Sequence, residues 1–314
     1  MVINLILSLV FLFIVIKSAD FSIKFSSRLA KALHFPEFVV SFFIIAFISV
    51  LPEATIAIIS AFNQQPELGL GTLLGAKVMD LTLVLGIVTL FASGGIKVKS
   101  KLIEDNFFYL LLLIFPIVLG LDGYFSRPDG LILFLIGGMF YYKIYSQSVR
   151  FRKKFNGVKK HPFAKSLILL VISLAILVGG ALLTVKFATN FAHDAKVPTF
   201  IIGVTILALG TCLPELIFSI KAVKSNKDEL ALGDILGTVI TDATIILGTV
   251  AMICPFAYNK INFLTMSIAM FLSGIFVIVF MRTESSINKR EGILLIIFYV
   301  IFLFSQFITN NFIL

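Results

Sequence analysis

Glu53, Asp80, Glu215 and Asp242 each lie well inside an apolar run long enough to cross a bilayer. An ionised side chain at that depth is costly, and it marks an ion path or a proton relay. Thr211 and Thr238 precede Glu215 and Asp242 by four residues, so each acid shares a helix face with a hydroxyl. The four acids, the hydroxyls and the carbonyls freed beside a helix break form an all-oxygen set. Hard cations such as Ca2+ take six to eight oxygen ligands. Four carboxylates gathered together cannot all stay ionised without a counter-charge. Cations or protons must supply it, and competition between cation types for one cluster is a physical basis for exchange.

Other metal chemistries have no support. Cys212 and Cys254 sit in apolar runs with no CxxC or zinc spacing. His34, His161 and His193 fall at or beyond expected helix ends and read as interfacial. No DDxxD pair, HExxH, or Ser/Lys or Ser/His dyad suggests an intramembrane enzyme. A receptor or structural protein would not require duplicated buried acids.

The elements that must hold these acids are membrane helices. The chain has 314 residues, 59% hydrophobic and 14% charged, with mean hydropathy +1.07, against about 25% charged in soluble domains. Ten apolar segments are expected, at about 2–17, 36–62, 68–92, 103–121, 128–148, 164–188, 197–223, 229–254, 261–281 and 291–310. The first is read as a membrane helix, not a cleaved leader. Alternate connections hold 21 of the 26 basic residues, which predicts both termini outside and the central loop in the cytoplasm. The net charge of +9 is thereby a topology signal with a capacity to touch anionic lipid, and not a sign of nucleic acid. The protein is expected in the cell (plasma) membrane, as a monomer.

Shifting the chain by 162 positions superposes Ile44–Val88 on Ile206–Val250 without a gap. Leu51-Pro52-Glu53 falls on Leu213-Pro214-Glu215, Gly71 on Gly233, Gly75 on Gly237, Asp80 on Asp242, Thr82 on Thr244 and Gly86 on Gly248. Pro, Glu, Asp and paired Gly in register indicate a duplication. The expected halves are 1–150 and 164–314, joined by a basic linker at 151–163. Five spans per half invert the second half relative to the first, the plan of secondary transporters with a site near the midplane. Proline lacks an N–H and clashes with the preceding turn, so each LPE predicts a broken helix, which a membrane tolerates only beside a cavity or inside protein. The glycines at 71, 75, 233 and 237 read as close-packing positions.

The pattern resembles the sodium/calcium exchanger branch of the cation/calcium exchanger superfamily. Gly210-Thr211-Cys212-Leu213-Pro214-Glu215 is similar to that family's G-T-S-x-P-E, and Gly233-Asp234-Ile235-Leu236-Gly237-Thr238 to its G-N-x-x-G-S. Ser49–Glu53 and Gly71–Ala76 match less well. The resemblance implies an all-α membrane fold of two inverted five-helix repeats. It also implies Glu53 and Glu215 as central Ca2+ ligands. Ser49, Thr211, Thr238, Asp80 and Asp242 would be flanking ligands for a monovalent cation. Val50, Ala76 and Cys212 replace hydroxyls of the family pattern, Thr72 and Asp234 replace asparagines, and Lys77 stands where another asparagine is common. Ca2+ is thus the expected divalent ion, with Na+ or H+ as counter-ion. Lys77 has two readings: it snorkels to the helix edge, or it pairs with Asp80 or Glu53 as a built-in cation. The function expected is a Ca2+ antiporter working by alternating access. The alternative is a cation channel or uniporter that uses the same carboxylates with no counter-ion.

Overall fold

A computed structural model describes residues 2–62, 64, 66–98, 107–150, 163–194, 208–282 and 285–311. His161 and nearly all of the expected linker lie outside the described residues, as does the start of the seventh apolar segment.

Among the described residues, helices lie in each expected apolar segment. In order they are α1 (Val2–Leu33), α2 (Glu37–Ser49), α3 (Leu51–Phe62), α4 (Pro66–Met79), α5 (Leu85–Phe91), α6 (Phe107–Leu119), α7 (Arg127–Arg150) and α8 (Phe163–Asp194), followed by α9 (Ala208–Thr211), α10 (Leu213–Lys224), α11 (Asp228–Ile240), α12 (Leu247–Ile253), α13 (Lys260–Arg282) and α14 (Lys289–Asn311). By length and hydropathy alone, five spans qualify as membrane-crossing among the described residues, and the bent pair α2–α3 is a sixth. The two spans that carry the aspartates are the inner ones. In their most apolar windows, 78% of Gly69–Phe91 and 83% of Asp228–Ile253 is buried, against 17% of α1. A helix apolar on all sides belongs either to the core or to lipid, and the buried carboxylates select the core for these two.

Both predicted breaks are present and occupy the same repeat position. Val50 separates α2 from α3, and Cys212 separates α9 from α10. The first pair is bent by 42°. A π turn also lies inside α2, at Ser41–Ile45, and in the other two motif spans the irregularity is itself a π turn, at Asp80–Val84 between α4 and α5 and at Thr241–Ile246 between α11 and α12. Thr82 Oγ1 donates to the Val78 carbonyl, and Thr244 Oγ1 to that of Ile240 at 2.6 Å. Such back-bonding by threonine competes with the helical ladder, and single π turns inside α-helices gather at functional sites.

The halves interlock at both ends of the bundle. Strand β1 (Ile96–Lys97) pairs antiparallel with β4 (Ser286–Ile287), and β2 (Tyr124–Phe125) with β3 (Phe256–Ala257). Each two-residue ladder joins two connections that the charge alternation assigns to one side of the membrane. At the β2–β3 end, Phe125, Phe256, Tyr258 and Phe263 form one aromatic cluster with neighbouring ring centroids 4.7–5.9 Å apart. Tyr258 donates to the Gly120 carbonyl at 2.5 Å. Burial, with Asp122 and Asp129 nearby, pushes its phenol pKa up.

Helices cross closely through glycine. A Cβ on Gly86 of α5 would stand 2.6 Å from the Gly292 carbonyl of α14, and one on Gly248 of α12 would stand 2.6 Å from the Gly130 carbonyl of α7. The two crossings are repeat equivalents (86 + 162 = 248, 130 + 162 = 292). Of the four glycines expected to admit close neighbours, Gly233 and Gly237 do so, against the backbone of Phe38 and the side chain of Ala46. Gly71 and Gly75 have nothing within 4 Å of such a Cβ among the described residues.

Candidate functional site

Each break turns a glutamate into the first turn of a new helix. Glu53 lies in the first turn of α3 and Glu215 in that of α10, where Pro214 takes an opening position. Proline fits there because its missing N–H has no intrahelical acceptor to lose. The unpaired amides of a helix N-terminus favour negative charge. Both glutamates are fully buried, and among the described residues none of their four carboxylate oxygens receives a hydrogen bond from another residue. Unsatisfied buried carboxylates in a native site call for a partner beyond those residues.

The π turns deliver the aspartates. Asp80 opens the first and Asp242 is the second residue of the other, and both are fully buried. Between them lies Lys77, 1% exposed. Its Nζ donates to Asp80 Oδ2 at 2.6 Å and stands 2.9 Å from Asp242 Oδ2. The lysine therefore does not reach for the membrane edge. It pairs as the second reading expects, but its second partner is Asp242 of the other half and not Glu53. The remaining oxygens, Asp80 Oδ1 and Asp242 Oδ1, are buried without a hydrogen bond.

The hydroxyls are placed unequally. Ser49 donates to Asp234 Oδ1 at 3.2 Å. Thr238 is buried and donates to its own helix, to the Ile235 carbonyl at 2.9 Å. Thr211 is partly exposed, with Oγ1 4.0 Å from Cys212 Sγ. Cys212, buried and unbridged, faces the Ala76 carbonyl at 3.9 Å.

The acids are electrostatic neighbours. Glu53 interacts with Lys77, Asp242 and Asp80, and Glu215 with Glu53, Asp80, Asp234 and Lys77. They do not already form a coordination shell: among the described residues, no three His, Cys, Asp or Glu side chains are grouped to hold a metal ion. The cluster is a set of separate oxygen groups around a tethered ammonium.

Asp234 is the residue that sequence reasoning left out of the site. It is fully buried, between the hydroxyls of Ser49 and Ser219. Its signal was present, since it too is an acid within an apolar span, four residues before Thr238. Tyr141 of α7 is a second case. Its hydroxyl lies 2.5 Å from Thr241 Oγ1, at the start of the second π turn, and no local pattern marks it. Ser219, one turn beyond Glu215, is buried with its hydroxyl toward the Asp234 carboxylate.

Residues 3–144 and 165–308 match the family model described as "Sodium/calcium exchanger protein". The sodium/calcium exchanger MaX1 of Methanosarcina acetivorans is 25% identical, over 95% of this chain and 96% of its own length. An uncharacterized membrane protein of Methanocaldococcus jannaschii is 30% identical, over 90% of this chain and 91% of its own. Among solved structures, one of the sodium-calcium exchanger NCX_Mj, soaked with zero Na+ and Ca2+, superposes with a TM-score of 0.84 at 26% identity. It covers 97% of this chain and 99% of that one.

Proposed function

We propose what this chain does from one premise: it belongs to the sodium/calcium exchanger family. It is a secondary active antiporter that moves Ca2+ across the membrane in exchange for Na+ or H+, by alternating access. The observation that carries this reading is the pair of fully buried glutamates, Glu53 and Glu215, at equivalent helix breaks, with every carboxylate oxygen lacking a hydrogen bond from another described residue. Two carboxylates with nearby hydroxyls and carbonyls are the chemistry a hard divalent cation demands. In this reading Glu53 and Glu215 are the central Ca2+ ligands. Ser49, Thr211, Thr238, Asp80 and Asp242 flank them, and Asp234 joins through Ser49.

The exchange follows from charge. A site with uncompensated carboxylates is costly to enclose in a low-dielectric bundle. Bound Ca2+ neutralises it, and so do monovalent cations in sufficient number. Either cargo lets the site close to one side and open to the other, while the empty site stays open. The two inverted halves, 1–150 and 164–314, provide the two mirror states, and residues 151–163 connect them. We place the protein in the cell membrane as a multi-pass monomer, with both termini outside and the central loop cytoplasmic.

Uptake of radiolabelled Ca2+ into proteoliposomes under separately imposed Na+ and pH gradients tests this. Uptake that follows one of the gradients is expected. Equal flux with no counter-ion gradient supports the channel or uniporter alternative instead.

A further inference from the structure

We propose that Lys77 is a tethered cation. Its ammonium takes the place of one transported monovalent cation between Asp80 and Asp242, so that each Ca2+ is exchanged for one counter-ion fewer than the carboxylates alone would demand. This rests on the antiport reading and specifies its coupling.

Three observations carry it. The first is geometry. Lys77 Nζ stands 2.6 Å from Asp80 Oδ2 and 2.9 Å from Asp242 Oδ2, so one ammonium bridges an acid from each half. A lysine ammonium is a compact point charge, and here it occupies the position between two carboxylates where a small free cation would otherwise be drawn. The second is asymmetry. The repeat equivalent of Lys77 is Val239 (77 + 162 = 239), a buried apolar residue. Only one half supplies a charge, so the duplicated aspartates share one fixed cation and do not each have their own. The third is balance. Five buried carboxylates, Glu53, Asp80, Glu215, Asp234 and Asp242, surround a single buried ammonium. With all of them ionised, the formal charge is −4 with Lys77 and −5 without it. Removing the ammonium leaves one more charge for mobile cations to neutralise, and a buried acid pair left unpaired is strongly destabilising.

The test compares wild type with Lys77→Gln and Lys77→Arg in proteoliposomes held at zero membrane potential. A tenfold Na+ gradient is imposed in one arm, and in the other a pH gradient of one unit. At equilibrium the Ca2+ concentration ratio equals the counter-ion ratio raised to the number of ions exchanged. One additional coupling ion therefore raises Ca2+ accumulation about tenfold in Lys77→Gln, while Lys77→Arg keeps the wild-type value. Equal accumulation in Lys77→Gln and wild type overturns the tethered-cation role and leaves antiport standing. If neither gradient drives uptake in wild type, the antiport reading itself falls.

A second readout covers a variant that does not transport. Where Na+ is the ion that drives wild-type uptake, the thermal midpoint of purified Lys77→Gln should rise with Na+ concentration more steeply than that of wild type, and where H+ drives it the same holds along a pH series, because a ligand that binds only the folded state stabilises it by mass action. A Lys77→Gln protein that stays unfolded at every concentration of that ion, or one whose midpoint tracks wild type, assigns Lys77 a structural role only and overturns the proposal.

Discussion

The glycine crossings give the most direct test of how the two halves are assembled. Replacing Gly86 with Val adds a Cβ that would lie 2.6 Å from the Gly292 carbonyl and 2.7 Å from Ile296 Cγ1. The Cβ of Gly248→Val would lie 2.6 Å from the Gly130 carbonyl and 2.9 Å from the Phe134 amide nitrogen. Ordinary contact begins near 3.4 Å, so α5 and α14, or α12 and α7, must separate by about 0.8 Å at the tightest point. The tightest contact in each case is a backbone carbonyl, which cannot rotate aside; the next is the Ile296 side chain at Gly86 and the Phe134 backbone at Gly248. Overpacking of this kind costs about 1–3 kcal/mol, and the two extra methyls of valine place these sites at the upper end. The helix-propensity gain of valine over glycine offsets only about 0.5 kcal/mol. The net expectation is a loss of about 2 kcal/mol in each variant, equal for the two because the crossings are repeat equivalents. Thermal unfolding of the purified protein in detergent measures it as a fall of several degrees. Gly138→Ala in α7 is the control: nothing among the described residues lies within 4 Å of its added Cβ, and its midpoint should stay near wild type. Two valine variants as stable as wild type would refute the close crossings. A large effect at only one of them would refute their equivalence.

Other outcomes follow from the site and the topology. Glu53→Gln or Glu215→Gln should each abolish Ca2+ uptake in proteoliposomes while the protein still folds, and wild-type flux in either removes these residues from the site. Asp234→Asn keeps an acceptor for Ser49 but lowers the negative charge of the cluster by one. It should transport Ca2+ with an affinity reduced about tenfold or more, as a lost charge-assisted contact of about 1.5–3 kcal/mol implies, and unchanged affinity would confine Asp234 to structure. Single cysteines at Lys97 and Tyr124, in a background lacking Cys212 and Cys254, should react with a membrane-impermeant maleimide from opposite sides. Labelling from one side alone contradicts the inverted arrangement. A cysteine pair at Lys97 and Ser286, direct Cα partners in the β1–β4 ladder, should form a disulfide under mild oxidation, seen as a mobility shift on non-reducing gels.

The duplication was legible because proline, glutamate, aspartate and paired glycine are scarce in apolar helices, so their coincidence at a shift of 162 stood out. Both LPE breaks follow from the chemistry of proline. The partners of Lys77 were only half legible. Asp80 lies three residues away on the same helical face, whereas Asp242 is 165 residues distant (242 − 77 = 165) and reaches it only through tertiary folding. Asp234 was visible but was treated as a replaced asparagine, and its burial against Ser49 gives it a different weight. The ladders carried no signal, since strands of two residues have no periodicity to read. The π turns are intelligible afterwards from Asp-x-Thr at 80–82 and 242–244, where each threonine bonds back into its own helix.

The reciprocal crossings, α5 on α14 and α12 on α7, mean that each half is completed by a helix of the other. With a ladder at either end of the bundle, and the Lys77–Asp242 pair and the Gly233 crossing on α2 between them, the halves are clasped at several places apart from the peptide connecting them. Covalent continuity through 151–163 is therefore not what unites the molecule. Two separately synthesised chains, divided in that stretch, carry the contacts needed to find one another in the bilayer.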